Sequence, residues 1–175
     1  SDPKPDLLPG IHSALEDIAL NGNPYQRAWA ISGLAGFSSH RSVHAGLFMK
    51  ALHDPDSGVR AAGASALGNP NFLSTSSVAA LSDSLTDQNL QVRLAAALSL
   101  QAFRKAAAPA SQKLWVAAAD PDRDLSETAS NALAVIGPAA ASRLRIALRE
   151  KGISPPSTDI RRLPGKEVGP HHVVK

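Results

Sequence analysis

Three arginines, Arg27, Arg60 and Arg93, recur at one constant interval along the chain. Cations at a constant pitch could track the phosphates of a nucleic-acid backbone. However, an aspartate stands six residues before two of them, Asp54 before Arg60 and Asp87 before Arg93. This regular pairing of opposite charges favours a structural role for the arginines over phosphate binding.

Other side chains that could bind metal form weaker patterns. His40 and His44 are four residues apart and could share one helical face, as zinc ligands do, but no Asp or Glu nearby completes a set. We therefore interpret them as surface histidines. The acidic turns at 54–56 and 120–122 could suggest calcium, but the second lacks the Gly and the distal Glu of an EF-hand loop. Capping explains these acids, because carboxylates favour the positive end of a helix.

No motif for covalent or cofactor chemistry is found in the sequence. There is no cysteine, no Gly-x-Gly-x-x-Gly, no phosphate-binding loop and no Gly-x-Ser-x-Gly nucleophile elbow. We therefore expect no catalytic, cofactor-binding or metal-ligating residue. No apolar run approaches the roughly 18 residues of a membrane span.

The composition predicts closely packed helices. Hydrophobic residues make up 43% of the chain but aromatic residues only 4%, so the core must be built from Ala and Leu. Residues 1–150 hold 13 Lys or Arg and 13 Asp or Glu, so the whole net charge of +3 comes from residues 151–175. The body of the chain therefore lacks the basic excess that drives phosphate binding.

The segment Asp54–Gly68 returns at a regular period of about 33 residues, which indicates a repeat protein. We expect helix pairs in units of about 6–38, 39–71, 72–104 and 105–137, followed by a capping helix at 138–151. The second helices are predicted from Pro24 to Gly36, after the turn at 54–56 as far as Gly68, from Leu90 to Phe103, and from Leu125 to Ile136. Residues 152–175 form a Pro-rich, basic tail that reads as extended or disordered.

The run Asp54, Val59-Arg60 and Ala66-Leu67-Gly68 is similar to HEAT repeats, particularly the short repeats of phycobilisome-lyase-like proteins. This resemblance covers most of the chain, as far as the start of the tail. It implies an all-α, right-handed α-solenoid, or superhelix, of four to five stacked antiparallel helix pairs, with the second helices on the concave side. The repeat period also suits ankyrin repeats, but their Thr-Pro-Leu-His signature is missing.

The resemblance also implies that the Asp before each second helix and the Arg at its start form a ladder between neighbouring units. Its members would be Arg27, Asp54, Arg60, Asp87, Arg93 and Asp120. The outer units depart from the pattern, because Asn21 replaces the Asp before Arg27 and Ser126 replaces the Arg after Asp120. We expect capping units to tolerate this loss.

Helical geometry predicts which residues face the concave side. If Val59, Ala62, Gly63, Ala66 and Leu67 are buried, Ala61, Ala64, Ser65 and Gly68 lie opposite them, together with their equivalents in the other units. The residues at these positions are mostly small, but Leu94 and Leu98 are large and apolar. We expect this pair to anchor a partner, with Gln101, Glu127 and Asn131 as a polar rim and Trp29 as a further contact.

The leading functional hypothesis is a non-enzymatic scaffold that binds a protein helix or peptide on its concave face. A nucleic-acid-binding HEAT-like module or DNA-repair glycosylase-like protein is an alternative, disfavoured by the neutral body. A lyase-like accessory subunit that helps attach or isomerise a bilin follows only from the resemblance. The sequence leaves the compartment open, cytoplasmic or exported. Because the chain begins without Met, it could be part of a larger polypeptide.

Overall fold

The fold is all-α in a computed structural model that describes residues 8–37 and 41–137. Within these ranges there are eight α-helices and no strand. The helices are α1 Leu8–Asn21, α2 Pro24–Leu34, α3 Arg41–Ala51, α4 Ser57–Leu67, α5 Thr75–Ser84, α6 Leu90–Phe103, α7 Ser111–Ala117 and α8 Arg123–Ile136. The expected capping helix at 138–151 and the tail at 152–175 lie outside the described residues.

The second helix of each unit begins at a side-chain cap. Asp56 accepts hydrogen bonds from the amides of Gly58 and Val59, at 2.9 and 3.1 Å. Asp122 caps α8 in the same way, and Asn23 and Asn89 cap α2 and α6. These oxygens satisfy amides that have no partner within the first turn of a helix. The acids in the turns at 54–56 and 120–122 thus include helix caps, as the capping interpretation predicts.

The helices form two layers, one of second helices and one of first helices, and the second helices pack together more closely. The second helices pack extensively in the order α2, α4, α6 and α8, and each also packs on the first helix of its own unit. The first helices contact one another much less. Because the second helices approach more closely than the first, the stack curves toward the second-helix layer. The chain is therefore an α-solenoid with this layer on its inner side.

Small residues let the helices approach. A Cβ placed on Gly63 would lie 2.9 Å from Ala51 Cβ, and one on Gly68 would lie 2.6 Å from Ser99 Cβ, both closer than real Cβ contacts. Most of the buried core consists of Ala and Leu, with Phe48 as its largest fully buried side chain. This agrees with the composition, since few aromatic residues are available and close helix packing leaves little room for them.

Two 3₁₀ segments interrupt the regular pattern, and sequence periodicity did not indicate either one. The first spans Pro70–Phe72, and the second spans Arg104–Ala110 and replaces the first turns of α7. Arg104 has φ 53°, the left-handed region that favours glycine, and it ends α6 beside the buried Phe103. The fourth unit therefore has a first helix of only seven residues.

None of the helices in the described ranges has the length and apolar character needed to cross a membrane.

Candidate protein-binding face

Arginine–aspartate pairs join consecutive units along the second helices. Arg27 Nε and Nη2 donate hydrogen bonds of 2.9 and 2.7 Å to the carboxylate of Asp54. Arg60 binds Asp87 in the same two-pronged way, at 2.7 and 2.9 Å. Arg93 lies 3.5 Å from Asp120, in a looser third pair. Each arginine thus reaches an aspartate in the turn of the following unit.

Each arginine also binds the turn of its own unit. Arg60 Nη1 donates to the carbonyl oxygens of Asp54 and Pro55, at 2.9 and 3.1 Å. Arg27 reaches Gly22 O, and Arg93 reaches Asp87 O. One guanidinium therefore ties the turn before its own helix to the turn of the next unit. Charge-assisted, two-pronged bonds of this kind are among the stronger ones in proteins.

The ladder changes the acidity of two of its carboxylates. Burial raises the pKa of Asp54, but hydrogen bonds from Arg27 and the Asp56 amide outweigh it and hold that pKa below its usual value. The hydrogen bond from Arg60 lowers the pKa of Asp87, which burial only partly offsets. Both carboxylates are therefore held in the charged form that the arginines require.

These contacts argue against the interpretation that Arg27, Arg60 and Arg93 track the phosphates of a nucleic acid. Their charges are directed at aspartates and turn carbonyls, and their side chains are largely buried, with exposed fractions of 17–20%. A phosphate could bind them only after breaking the ladder. The regular spacing of the arginines reflects the pitch of the solenoid.

We call the exposed side of the second-helix layer the inner face. Four exposed residues at positions one repeat period apart form a row on this face, namely Ser32, Ser65, Leu98 and Asn131. Leu98 is the large apolar member of this row and is 56% exposed. The inner face therefore carries a single prominent apolar side chain among small and polar ones in that row.

The predicted extent of this face was partly wrong. Ala64, Ala97 and Ile31 were expected on the open side, but all three are fully buried. The reason is that each second helix packs on at least one neighbouring second helix, α4 and α6 on two, and these neighbours cover residues that a single helical wheel places on the open side. Leu94 was also expected to be exposed, but it is half-buried and packs against the hydrophobic core. The predicted exposed leucine pair is thus one exposed residue, Leu98, and one packing residue, Leu94.

A shallow depression of about 550 Å³ lies beside Leu98. Residues from three consecutive units line it, so it runs across the stack. They are mostly small: Ala35, Gly36, Ser65, Gly68, Asn69, Pro70, Ala95, Leu98, Ser99 and Ala102. Such a lining permits close approach of another backbone, which bulky side chains would prevent.

The predicted rim residues occupy different environments. Asn131 and Glu127 are exposed on α8, where Glu127 accepts a 2.7 Å bond from Arg123, and Gln101 is half-buried on α6. Trp29 lies on α2 and is 60% exposed. Leu98 and Trp29 are on helices separated by α4, so they belong to different parts of the stack.

The sequence and the structure of known proteins agree with this repeat architecture. A family description of HEAT repeats matches residues 8–101 and again 45–134. The chain belongs to the HEAT-repeat family. A comparison with curated proteins finds no match to this sequence.

A solved structure similar to this HEAT-repeat chain is the complex of CpcE and CpcF of phycocyanin lyase from Nostoc sp.. The TM-score is 0.61 and the sequence identity is 25%. The match covers 82% of this chain and 59% of that chain. The HEAT-repeat chain therefore spans less than two thirds of the length of its structural neighbour, and its similarity to the short repeats of lyase-like proteins is confirmed.

Two histidines of the HEAT solenoid are buried, which corrects the interpretation of His44 as a surface residue. His44 is fully buried on α3, and its Nε2 lies 3.2 Å from Glu16 Oε1 on α1. His12 is also buried and makes an edge-on contact with Phe37, with ring centroids 4.2 Å apart. Packing of α1 beside α3 brings these groups together, and sequence spacing alone gave no sign of it. Among the described residues, no three His, Cys, Asp or Glu side chains are placed to share a metal ion. His40 lies outside the described residues.

Proposed function

We propose that this HEAT-repeat chain is a non-catalytic scaffold that binds a helix or an extended peptide of a partner protein on its inner face. The observation that carries the proposal is the exposure of Leu98 beside a depression that spans three units. Pro70, Ala95 and Ala102 line the depression together with Leu98, and contiguous exposed apolar surface of this kind is typical of recognition sites. Leu98 supplies the apolar anchor.

The depression beside Leu98 fits a helix or an extended peptide better than a small molecule. It is shallow, open and lined by Gly68, Ser65 and other small residues. A helix or strand lying along it would contact several units at once, whereas sites for small molecules are usually enclosed and rich in apolar side chains. Asn131, Glu127 and Gln101 would form the polar rim that orients the segment.

The test compares partner capture by the original chain and by two variants. Leu98→Asp places a charge on the anchor without disturbing the core, so capture should be lost while the helical circular dichroism is unchanged. Val116→Asp is the matched control, because Val116 is 64% exposed but lies on the first helix α7. Partners identified by affinity capture and mass spectrometry should bind the original chain and the control equally. Equal capture by Leu98→Asp would overturn the proposal.

Leu94→Asp is unsuitable as a second anchor variant. Leu94 packs against the core, so its replacement would unfold the stack as well as alter the face. Leu94→Ala is a milder change, and we expect it to weaken capture less than Leu98→Ala does.

A second candidate is an accessory subunit of a lyase, favoured by the similarity to the phycocyanin lyase complex. In this role the chain would hold another polypeptide in place and leave the chemistry to its partner. Titration of the chain with a bilin, followed by absorbance, would support the candidate if the spectrum shifts with saturation. An unchanged spectrum, together with failure to bind phycocyanin, would remove it.

A further inference from the structure

The two kinds of connection between the helices differ in charge. Between α1 and α8, the four connections that lead from a first helix into a second helix contain five aspartates and no Lys or Arg. The three connections that lead from a second helix to the next first helix contain no Asp or Glu, and the last of them begins with Arg104 and Lys105. In a stack of antiparallel helix pairs the two kinds lie at opposite edges. The edge where the second helices end therefore has no carboxylate in its connections.

The depression of the inner face lies at the edge where the second helices end. Gly36, Asn69 and Pro70 belong to two of the connections at this edge, and Ala102 is in the last turn of α6. None of the residues that line the depression is charged. Arg104 and Lys105 come two and three residues after Ala102, so they stand at the rim of the depression.

Arg104 and Lys105 have no carboxylate partner among the residues that the structure describes, and both are exposed. The ladder arginines, in contrast, each pair with an aspartate. Arg123 pairs with a glutamate, and Lys113 pairs with Asp83. Two adjacent cations with no acid in the same connection create a local positive potential. Both charges are therefore available to an anion on another molecule.

The backbone of Arg104 is a second, independent observation. Its φ of 53° and ψ of −129° suit glycine but strain a residue that has a Cβ. The amide of Arg104 donates to Gln101 O, so the strained residue is the one that ends α6. Strained residues of this kind cluster at ligand-binding sites. A charged side chain stands where glycine would end the helix with less strain, which points to a role for that charge in binding.

We propose that the depression binds an acidic peptide segment of a partner protein. An apolar side chain of the segment packs on Leu98, and its Asp or Glu carboxylates pair with Arg104 and Lys105. The inference rests on the proposed function, since it specifies the chemistry of the partner that the same depression takes. Neighbouring helices pack about 8–10 Å apart, so a segment that crosses three of them spans about 20 Å, or about six extended residues.

The helix ends at this edge do not favour a basic segment instead. A helix C-terminus carries about half a negative charge on its free carbonyl groups. Here Ala35 O accepts a 3.0 Å bond from Asn69 Nδ2, and Leu34 O and Ala66 O accept bonds from the amides of Phe37 and Asn69. The two full, unpaired positive charges therefore dominate over partial charges that are already hydrogen-bonded.

A nucleic acid fits these residues less well than an acidic peptide. Binding of a phosphate backbone takes several cations placed along one groove. The ladder arginines are held by aspartates, and Arg104 and Lys105 alone supply too few charges.

Selection of a phage library of random peptides, each about twelve residues long, on the full chain tests the proposal. The selected peptides are sorted by whether they still bind Leu98→Ser, which removes the apolar anchor without adding a charge. Peptides that depend on Leu98 should carry Asp or Glu beside an apolar residue. Peptides that do not depend on Leu98 should show no such bias.

Variants then locate the charged contact, with affinities measured by fluorescence anisotropy on synthetic copies of the Leu98-dependent peptides. Arg104→Gln and Lys105→Gln should each raise the dissociation constant about two- to fivefold, and the double variant about tenfold. These effects should shrink between about 50 and 500 mM salt. Lys50→Gln is the matched control, because Lys50 is also exposed but lies on the first helix α3, and it should change nothing.

Two further variants at position 104 separate binding from folding. Arg104→Lys keeps the charge and should keep most of the affinity. Arg104→Gly removes the charge and relieves the strain, so it should bind more weakly while it unfolds at higher denaturant concentration. Weaker binding by a more stable variant cannot result from loss of the fold.

The possible failures are distinguishable. Leu98-dependent peptides that lack acidic residues, or that bind the double variant as tightly as the original chain, would refute the acidic partner and leave the scaffold proposal intact. Absence of any Leu98-dependent peptide would refute the binding face together with this inference. A single-stranded oligonucleotide that binds through Arg104 and Lys105 more tightly than the selected peptides would assign the two cations to nucleic acid instead.

Discussion

Arg60 and Asp87 belong to different repeat units, yet two hydrogen bonds of 2.7 and 2.9 Å join their side chains. The same arginine binds the carbonyl oxygens of Asp54 and Pro55 in its own turn. The pair therefore fixes the position of one unit relative to the next. This relationship recurs between Arg27 and Asp54.

Replacement of Asp87 should destabilise the solenoid. Asp87→Ala removes both bonds from Arg60 and the bond to the Asn89 amide, and leaves a largely buried guanidinium without its carboxylate. We expect a loss of about 2–3 kcal/mol in the free energy of unfolding, measured by urea denaturation. Asp83→Ala is the matched control, since Asp83 pairs with Lys113 at 2.6 Å but is 76% exposed, and it should change stability little. Equal effects of the two changes would show that the ladder contributes no more than a surface pair.

Acid should weaken the same contacts. The pKa values of Asp54 and Asp87 are lowered in the folded chain, so their contribution to stability is fully present above the unfolded pKa of about 3.9. It is lost as the pH falls through the lower folded values. Urea midpoints measured from pH 6 to pH 2 should therefore fall most steeply below about pH 4. In Asp87→Ala this fall should be smaller, because one of the two carboxylates is gone.

Close packing predicts opposite effects for two glycine substitutions. Gly68→Ala would force a Cβ into Ser99, although the backbone φ of −68° suits alanine, so the cost is steric and we expect about 1–3 kcal/mol of destabilisation. Gly46→Ala on α3 meets no atom within 4 Å and should stabilise the helix by about 0.5–1 kcal/mol. Thermal melting of both variants checks the signs. A neutral Gly68→Ala would show that α4 and α6 can separate without cost.

The left-handed Arg104 offers a stabilising change. Its φ of 53° and ψ of −129° strain a side chain with a Cβ, and the residue is exposed. Arg104→Gly should raise the free energy of unfolding by about 0.5–1 kcal/mol. Glycine relieves the backbone strain, and this gain is larger than the loss of stability from the greater conformational entropy of glycine in the unfolded chain. Arg104→Ala keeps the Cβ and should give no such gain. Chemical denaturation of the two variants separates loss of strain from loss of the charge.

The candidate site could be predicted from sequence only in outline. The repeat period located the second helices and placed Leu98 on an exposed row. It did not show that Leu94 is half-buried, because a single helical wheel assumes one buried side, whereas each internal second helix here also packs between two others. Nor could it show His44 beside Glu16, since those residues lie on different first helices.

The sequence by itself determined the repeat unit, the Ala- and Leu-built core and the capped starts of the second helices, and its resemblance to HEAT repeats implied the members of the ladder. These features depend on local periodicity and on residue types that recur in each repeat unit. Only the tertiary structure decided that Arg27 and Arg60 each bind the next aspartate through two hydrogen bonds, that Leu98 and not Leu94 remains exposed, and that Trp29 is exposed in the first unit whereas its equivalents Ala62 and Ala95 are half-buried. Those outcomes depend on which neighbour covers a given side chain, and a stack covers equivalent positions differently in its middle and at its end.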